Sequence, residues 1–223
     1  MASRPKQADP RPAPRLYLVT PPVEDARAFG APLTAALAAG DVAAVLLRLA
    51  AADERALINI AKGLAPLAQD KGIALLLDGH ADLVARAGCD GAHLTGMVAF
   101  TDAIGRLKPD RIAGVGGLTS RHDAMVAAEA GADYVMFGEP DAAGVRPAFA
   151  SVEERVAWWA EVFEAPCVGF AASIDEVAPL AMAGADFIAL GGSFDDWIWR
   201  DPRTTVATVA NAAERLRLPE PAS

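Results

Sequence analysis

The sequence predicts a single-domain α/β fold, the (β/α)8 TIM barrel, and three observations predict it. One segment recurs three times: AGCDGAHLTG at Ala87–Gly96, AGADYVMFGEP at Ala130–Pro140 and AGADFIALGGS at Ala183–Ser193. Each reads as a helix end, a glycine stop and a short apolar run that opens into a loop. Their glycines, Gly88, Gly131 and Gly184, lie 43 and 53 residues apart, room for two strand–helix units each. Second, the strand-like runs are apolar throughout rather than alternating, the mark of a parallel sheet covered on both faces. Third, short strands and helices alternate along the whole chain. A doubly wound open sheet would want a glycine fingerprint after the first strand, and TPPVEDAR stands there instead.

The elements follow in order. Arg15–Pro22 (RLYLVTPP) is the first strand, ended by its prolines, and Asp25–Gly40 the first helix. Val42–Ala50 is an apolar strand with one charge, Arg48. Asp53 caps the helix Glu54–Lys71, whose Leu57, Ile60, Leu64 and Leu67 form an apolar stripe. Ile73–Asp78 is the third strand, Ala81–Ala87 a short helix, Gly91–Thr95 the fourth strand and Phe100–Leu107 a helix. Arg111–Gly117 is the fifth strand, followed by Ser120 capping Arg121–Ala130. Asp133–Phe137 is the sixth strand, Gly138–Ala150 a long loop and Val152–Phe163 a helix. Cys167–Ala171 and Asp186–Leu190 are strands seven and eight, separated by the helix Asp175–Ala183. Phe194–Arg200 and Thr204–Leu216 close the chain as helices.

Residues 1–14 read as a flexible lead-in, 15–218 as the barrel and 219–223 as a frayed tail. A chain of 223 residues that is 53% hydrophobic supports one sizeable core. A net charge of −9 argues against a nucleic-acid binder, which needs a basic face. No apolar run is long enough to span a membrane and the N-terminus has no signal core, so the expected compartment is the cytoplasm. Cys89 and Cys167 read as reduced, buried thiols. The tryptophans lie on helices and read as packing residues or a dimer surface, so a homo-oligomer stays open.

In this fold the chemistry lies where the strands end. Gly191-Gly192-Ser193 leads straight into a helix, which suits backbone binding of a phosphate assisted by Ser173; the bare alternative is a tight turn. Arg48 ends an apolar strand, where a charge faces a ligand or pairs with a neighbouring loop. Asp78 ends the third strand, as a functional carboxylate or as turn chemistry before Gly79. His93, between Ala92 and Leu94, reads as a satisfied core histidine. A small phosphorylated metabolite is the expected ligand.

From about Arg15 to Leu216 these strand ends resemble thiamine phosphate synthase and its relative, thiazole tautomerase. LYLVT opens the match, and AGCDGAHLTG, GVGGLT, AGADYVMFGEP and AGADFIALGGS are similar to the family's segments in order. The resemblance implies the joining of hydroxymethylpyrimidine diphosphate to thiazole phosphate, with release of pyrophosphate assisted by Mg²⁺. It carries Arg48 and Thr119 over intact, and it lets Arg146 stand for a loop lysine. Elsewhere the pattern is lost. Leu46 and Ala50 replace a glutamine and a lysine, and Gly79 and Val98 stand at the metal-binding carboxylates. Gly116 and Leu118 replace a serine and a histidine, and Ala171-Ala172 a glycine pair. A degenerate site is therefore expected, with Arg48 and Asp78 as its catalytic residues and no tightly bound cofactor. Mg²⁺ is expected only together with substrate. A non-catalytic binding protein of the same barrel family is the alternative.

Overall fold

A computed structural model describes residues 12–141, 143–191 and 198–216. Eight parallel strands close in sequence order. They are β1 (Arg15–Val19), β2 (Val42–Leu47), β3 (Ala74–Asp78), β4 (Gly91–Thr95), β5 (Ile112–Gly116), β6 (Tyr134–Phe137), β7 (Cys167–Ala171) and β8 (Phe187–Gly191). The helices are α1 (Ala26–Ala38), α2 (Glu54–Gln69), α3 (Val84–Ala87), α4 (Met97–Leu107), α5 (Arg121–Glu129), α6 (Phe149–Val162), α7 (Val177–Met182) and α8 (Pro202–Arg215). None of the described helices is long and apolar enough to cross a membrane.

The expected caps are present. The Asp53 side chain accepts the Ala56 N–H, and Ser120 and Asp123 form a reciprocal capping box at the start of α5. Several bounds differ from expectation. The fourth helix starts at Met97 and the sixth at Phe149, each three residues early, because apolar residues at the loop exit already pack inward. The third helix shrinks to Val84–Ala87, and the seventh opens with a 3-10 turn at Ile174–Glu176. Most of the expected helix Phe194–Arg200 lies outside the described residues.

The three repeats share one job at the N-terminal rim. Asp90, Asp133 and Asp186 each stand immediately before an even-numbered strand. Their carboxylates accept the N–H groups of Leu75, Ala113 and Cys167 at 2.7, 2.7 and 2.8 Å. Their own N–H groups donate to the carbonyls of the same three residues. Each aspartate thus clasps the strand before it with two bonds, one of them charge-assisted. Gly88, Gly131 and Gly184 turn the chain toward these clasps with φ of 72°, 98° and 97°, a region that disfavours a Cβ. Asp41, before β2, is the variant: its carboxylate takes the Arg15 guanidinium instead.

Two apolar layers fill the structure. The larger lies between strands and helices, and a smaller one inside the barrel includes Val19, Leu46, Leu76, Met136, Val168 and Phe170. Both cysteines are buried and unbridged; burial pushes the Cys89 thiol up to about 12, so it is an inert packing group. Trp159 is fully buried, donating its indole N–H to the Ala165 carbonyl, and Trp199 packs on Phe29. Trp158 lies half-buried beneath the Arg121 guanidinium. Trp197 lies outside the described residues.

Candidate active site

The C-terminal ends of β2 and β3 bring Arg48 and Asp78 together, with Nε 3.3 Å from Oδ2. The buried Thr20 hydroxyl, at the end of β1, accepts the Arg48 N–H at 3.0 Å and so fixes where the arginine leaves the strand. Both charged side chains keep about a third of their surface exposed, 36% and 32%. Of the two alternatives for Arg48, the ion pair with a neighbouring strand end is present, and it stands at the barrel mouth.

A second polar group runs through the barrel interior. Tyr17 and Tyr134 share a hydroxyl–hydroxyl bond of 2.8 Å. The Tyr134 oxygen lies 2.9 Å from His93 Nδ1, and His93 Nε2 lies 2.9 Å from Glu139 Oε2. The four residues come from β1, β6, β4 and the first turn after β6. Two glycines of β5 make room for them. A Cβ on Gly114 would lie 2.0 Å from the Tyr134 ring, and one on Gly116 would lie 2.4 Å from Glu139 Oε1. The two glycines are two residues apart and share a face of the strand. Side chains arriving from β6 fill the space both leave empty.

The electrostatics of this chain follow from burial. Loss of water opposes a charged imidazole at His93, but the Glu139 charge, the hydrogen bond to it and the Asp78 charge outweigh that, so the pKa is raised. Tyr17 and Tyr134 are pushed well above the ordinary phenol range, chiefly by desolvation, so both stay neutral hydroxyls. A neutral His93 with its proton on Nε2 can donate to Glu139 and accept from Tyr134, which in turn accepts from Tyr17. His93 is thus the satisfied interior histidine that its apolar neighbours suggest.

The remaining candidates are dispersed. Thr119 donates its hydroxyl to Asp123 at 3.0 Å and is tied to the start of α5. Arg146 donates to the carbonyls of Gly138 and Phe170 and pairs with Glu176 at 2.9 Å. Glu176 also accepts the Ala172 N–H, so this half-buried pair straps the loop after β6 to the end of β7. Ser173 precedes the 3-10 turn and makes no capping bond. Gly191 has φ of 101°, and a Cβ there would lie 2.2 Å from the Val19 carbonyl oxygen. That oxygen also accepts the Trp199 indole N–H, so Gly191 is required by close approach of β8 to β1. Gly192 and Ser193 lie outside the described residues.

The sequence delivers Glu139 to the mouth after the sixth strand without a role, and Tyr134 and Tyr17 read only as strand residues. A signal existed: GVG on a barrel strand leaves two voids on one face, and something must fill them. Nothing in the sequence says which side chains do so. Among the described residues no three histidine, cysteine, aspartate or glutamate side chains cluster to hold a metal ion. The position where the resemblance wants a second metal carboxylate carries Val98, a hydrocarbon that is 79% exposed. Among the described residues, the strand-end carboxylate Asp78 is engaged by Arg48, and no group of side chains forms the oxygen shell that Mg²⁺ prefers.

Eight parallel strands that close in sequence order, with polar and charged side chains at their C-terminal ends, define a (β/α)8 barrel. Residues 16–194 match the family model described as thiamine monophosphate synthase, and the chain belongs to that family. It is 43% identical to a thiamine-phosphate synthase of Rhodospirillum centenum, over 91% of this chain and 98% of that one. It is 36% identical to the thiamine-phosphate synthase of Hyphomonas neptunium, over 92% and 96%. Among solved structures, a thiamine phosphate pyrophosphorylase from Pyrococcus furiosus shares the fold, with a TM-score of 0.69 at 21% identity over 91% and 96% of the two chains.

Proposed function

We propose that this barrel is a thiamine-phosphate synthase with a reduced set of metal and phosphate contacts. It would join hydroxymethylpyrimidine diphosphate to thiazole phosphate, breaking the bond to the diphosphate and releasing pyrophosphate. The observation that carries this reading is identity of 43% extending over 98% of a thiamine-phosphate synthase. Arg48 supports it as well, standing at the mouth where the family motif places an arginine and paired with Asp78 at the end of the neighbouring strand. A leaving diphosphate concentrates negative charge, and a preorganised cation at that spot stabilises the transition state. The cofactor expectation carries over: no ion is held tightly by the protein, and Mg²⁺ would be bound by the oxygens of the diphosphate itself. The reading extends to a cytoplasmic protein acting on small phosphorylated metabolites, with Ser173 and the Gly191–Ser193 turn as the proposed phosphate corner.

One observation favours a second reading, a phosphometabolite-binding protein without turnover: exposed hydrocarbon, Val98, at a position that should carry a carboxylate. Thermal unfolding with each phosphorylated substrate, with and without Mg²⁺, tests binding, because a ligand of the folded state raises its apparent stability. Hydroxymethylpyrimidine diphosphate should raise the melting temperature. If it does so and no pyrophosphate is released on adding thiazole phosphate, the binding-protein reading stands. If neither substrate shifts the transition, both readings fail.

A further inference from the structure

The His93–Glu139 pair leaves one atom unexplained. Glu139 Oε2 is held by His93, but Oε1 is buried and has no hydrogen-bond partner among the described residues. A buried carboxylate oxygen without a donor is costly, because it has given up its water and gained nothing in return. Such an atom takes its donor from outside the chain, a water or a ligand. The carboxylate lies over Gly116 and Gly117, which carry no side chains, and the Glu139 side chain keeps 14% of its surface exposed just past the end of β6.

Charge placement says what kind of donor fits. In the closed strand order β6 lies opposite β2, so Glu139 and Arg48 follow strands on opposite sides of the barrel. A phosphoryl group next to Glu139 would be repelled and belongs on the Arg48 side. The β6 side suits the uncharged, donor-bearing end of the same molecule.

We propose that Glu139 is a substrate-recognition residue, its Oε1 accepting a hydrogen bond from an N–H on the nitrogen heterocycle of the substrate and so setting the heterocycle toward β6 and the phosphates toward β2. This rests on the synthase reading above and adds the orientation of the ligand. His93 positions Glu139, and Gly116 is the vacancy that admits it.

Calorimetric titration with two probes tests it: hydroxymethylpyrimidine diphosphate, which carries the ring, and inorganic pyrophosphate, which does not. Glu139→Ala should weaken the pyrimidine probe tenfold or more and change pyrophosphate less than twofold. Gly116→Ser places a side chain where the carboxylate now lies and should give the same selective loss with the His93–Tyr134 bond intact. It carries the test if Glu139→Ala fails to fold. Equal loss for both probes would mean a merely structural role, and unchanged affinity for the pyrimidine probe would mean no contact; either result overturns the proposal. If the wild-type protein binds neither probe, the synthase reading falls and this one with it, an outcome distinct from failure of Glu139 alone.

Discussion

The two ends of the barrel are built on different logic. At the N-terminal rim one task is repeated. Asp90, Asp133 and Asp186 each clasp the preceding strand through the same pair of backbone bonds. Among the described residues of the C-terminal mouth no task is repeated. Arg48 pairs with Asp78, His93 with Glu139 and Arg146 with Glu176, each in its own geometry. Repeated work leaves repeated letters, whereas singular work is defined by partners that lie far away in the chain. The rim should therefore govern stability and the mouth ligand binding, and substitutions can break that division.

The largest effect is expected from Gly91→Ala at the rim. The new Cβ would lie 2.1 Å from the Ile112 carbonyl oxygen, a backbone atom that cannot move without parting β4 from β5. A loss of about 3 kcal/mol is expected in urea unfolding. Asp133→Ala comes next. It strips the Ala113 N–H of its carboxylate acceptor and should lower stability by about 1–3 kcal/mol, with affinity for phosphorylated ligands unchanged in calorimetry. A rim substitution that altered ligand affinity in protein still folded would blur the two regions.

Arg48→Ala is the converse. Its partner Asp78 is about a third exposed, so the ion pair contributes only roughly 0–1 kcal/mol to folding. Pyrophosphate affinity should fall about tenfold, equivalent to about 1.4 kcal/mol. A variant that unfolds while keeping its affinity would make Arg48 a structural residue.

The smallest effect concerns pH. The His93 pKa is raised in the folded state, with Glu139, Asp78 and Tyr134 facing it. The folded protein therefore binds more protons than the unfolded chain once pH exceeds the unfolded histidine value of about 6.5. Its stabilising contribution is complete below that value and disappears as pH rises through the folded pKa. Melting temperatures across this window should slope downward in the wild type. Glu139→Gln, which removes the charge that raises the pKa, should flatten the slope.

The same contrast explains what could be read from the letters. The AGxD repeats, the apolar strands and the caps Asp53 and Ser120 disclose the barrel, because each is a local solution to a local backbone need. Arg48 and Asp78 stand out because a charge at the end of an apolar strand is conspicuous. Glu139 does not, since a glutamate opening a loop is ordinary until its carboxylate is seen in the space left by Gly116. Arg146 reads in the sequence as a stand-in for a loop lysine, because Glu176, which meets its charge, is 30 residues away.

The account rests most directly on whether the mouth carries out the family's reaction. The decisive measurement is pyrophosphate and thiamine phosphate formed from hydroxymethylpyrimidine diphosphate and thiazole phosphate in the presence of Mg²⁺, comparing wild type with Arg48→Ala and Asp133→Ala at a temperature where all three are folded. The account predicts equimolar products from wild type and Asp133→Ala, and a loss of tenfold or more in kcat/KM for Arg48→Ala. Product formed equally well by Arg48→Ala, or none formed by a wild-type protein that binds both substrates, would contradict it.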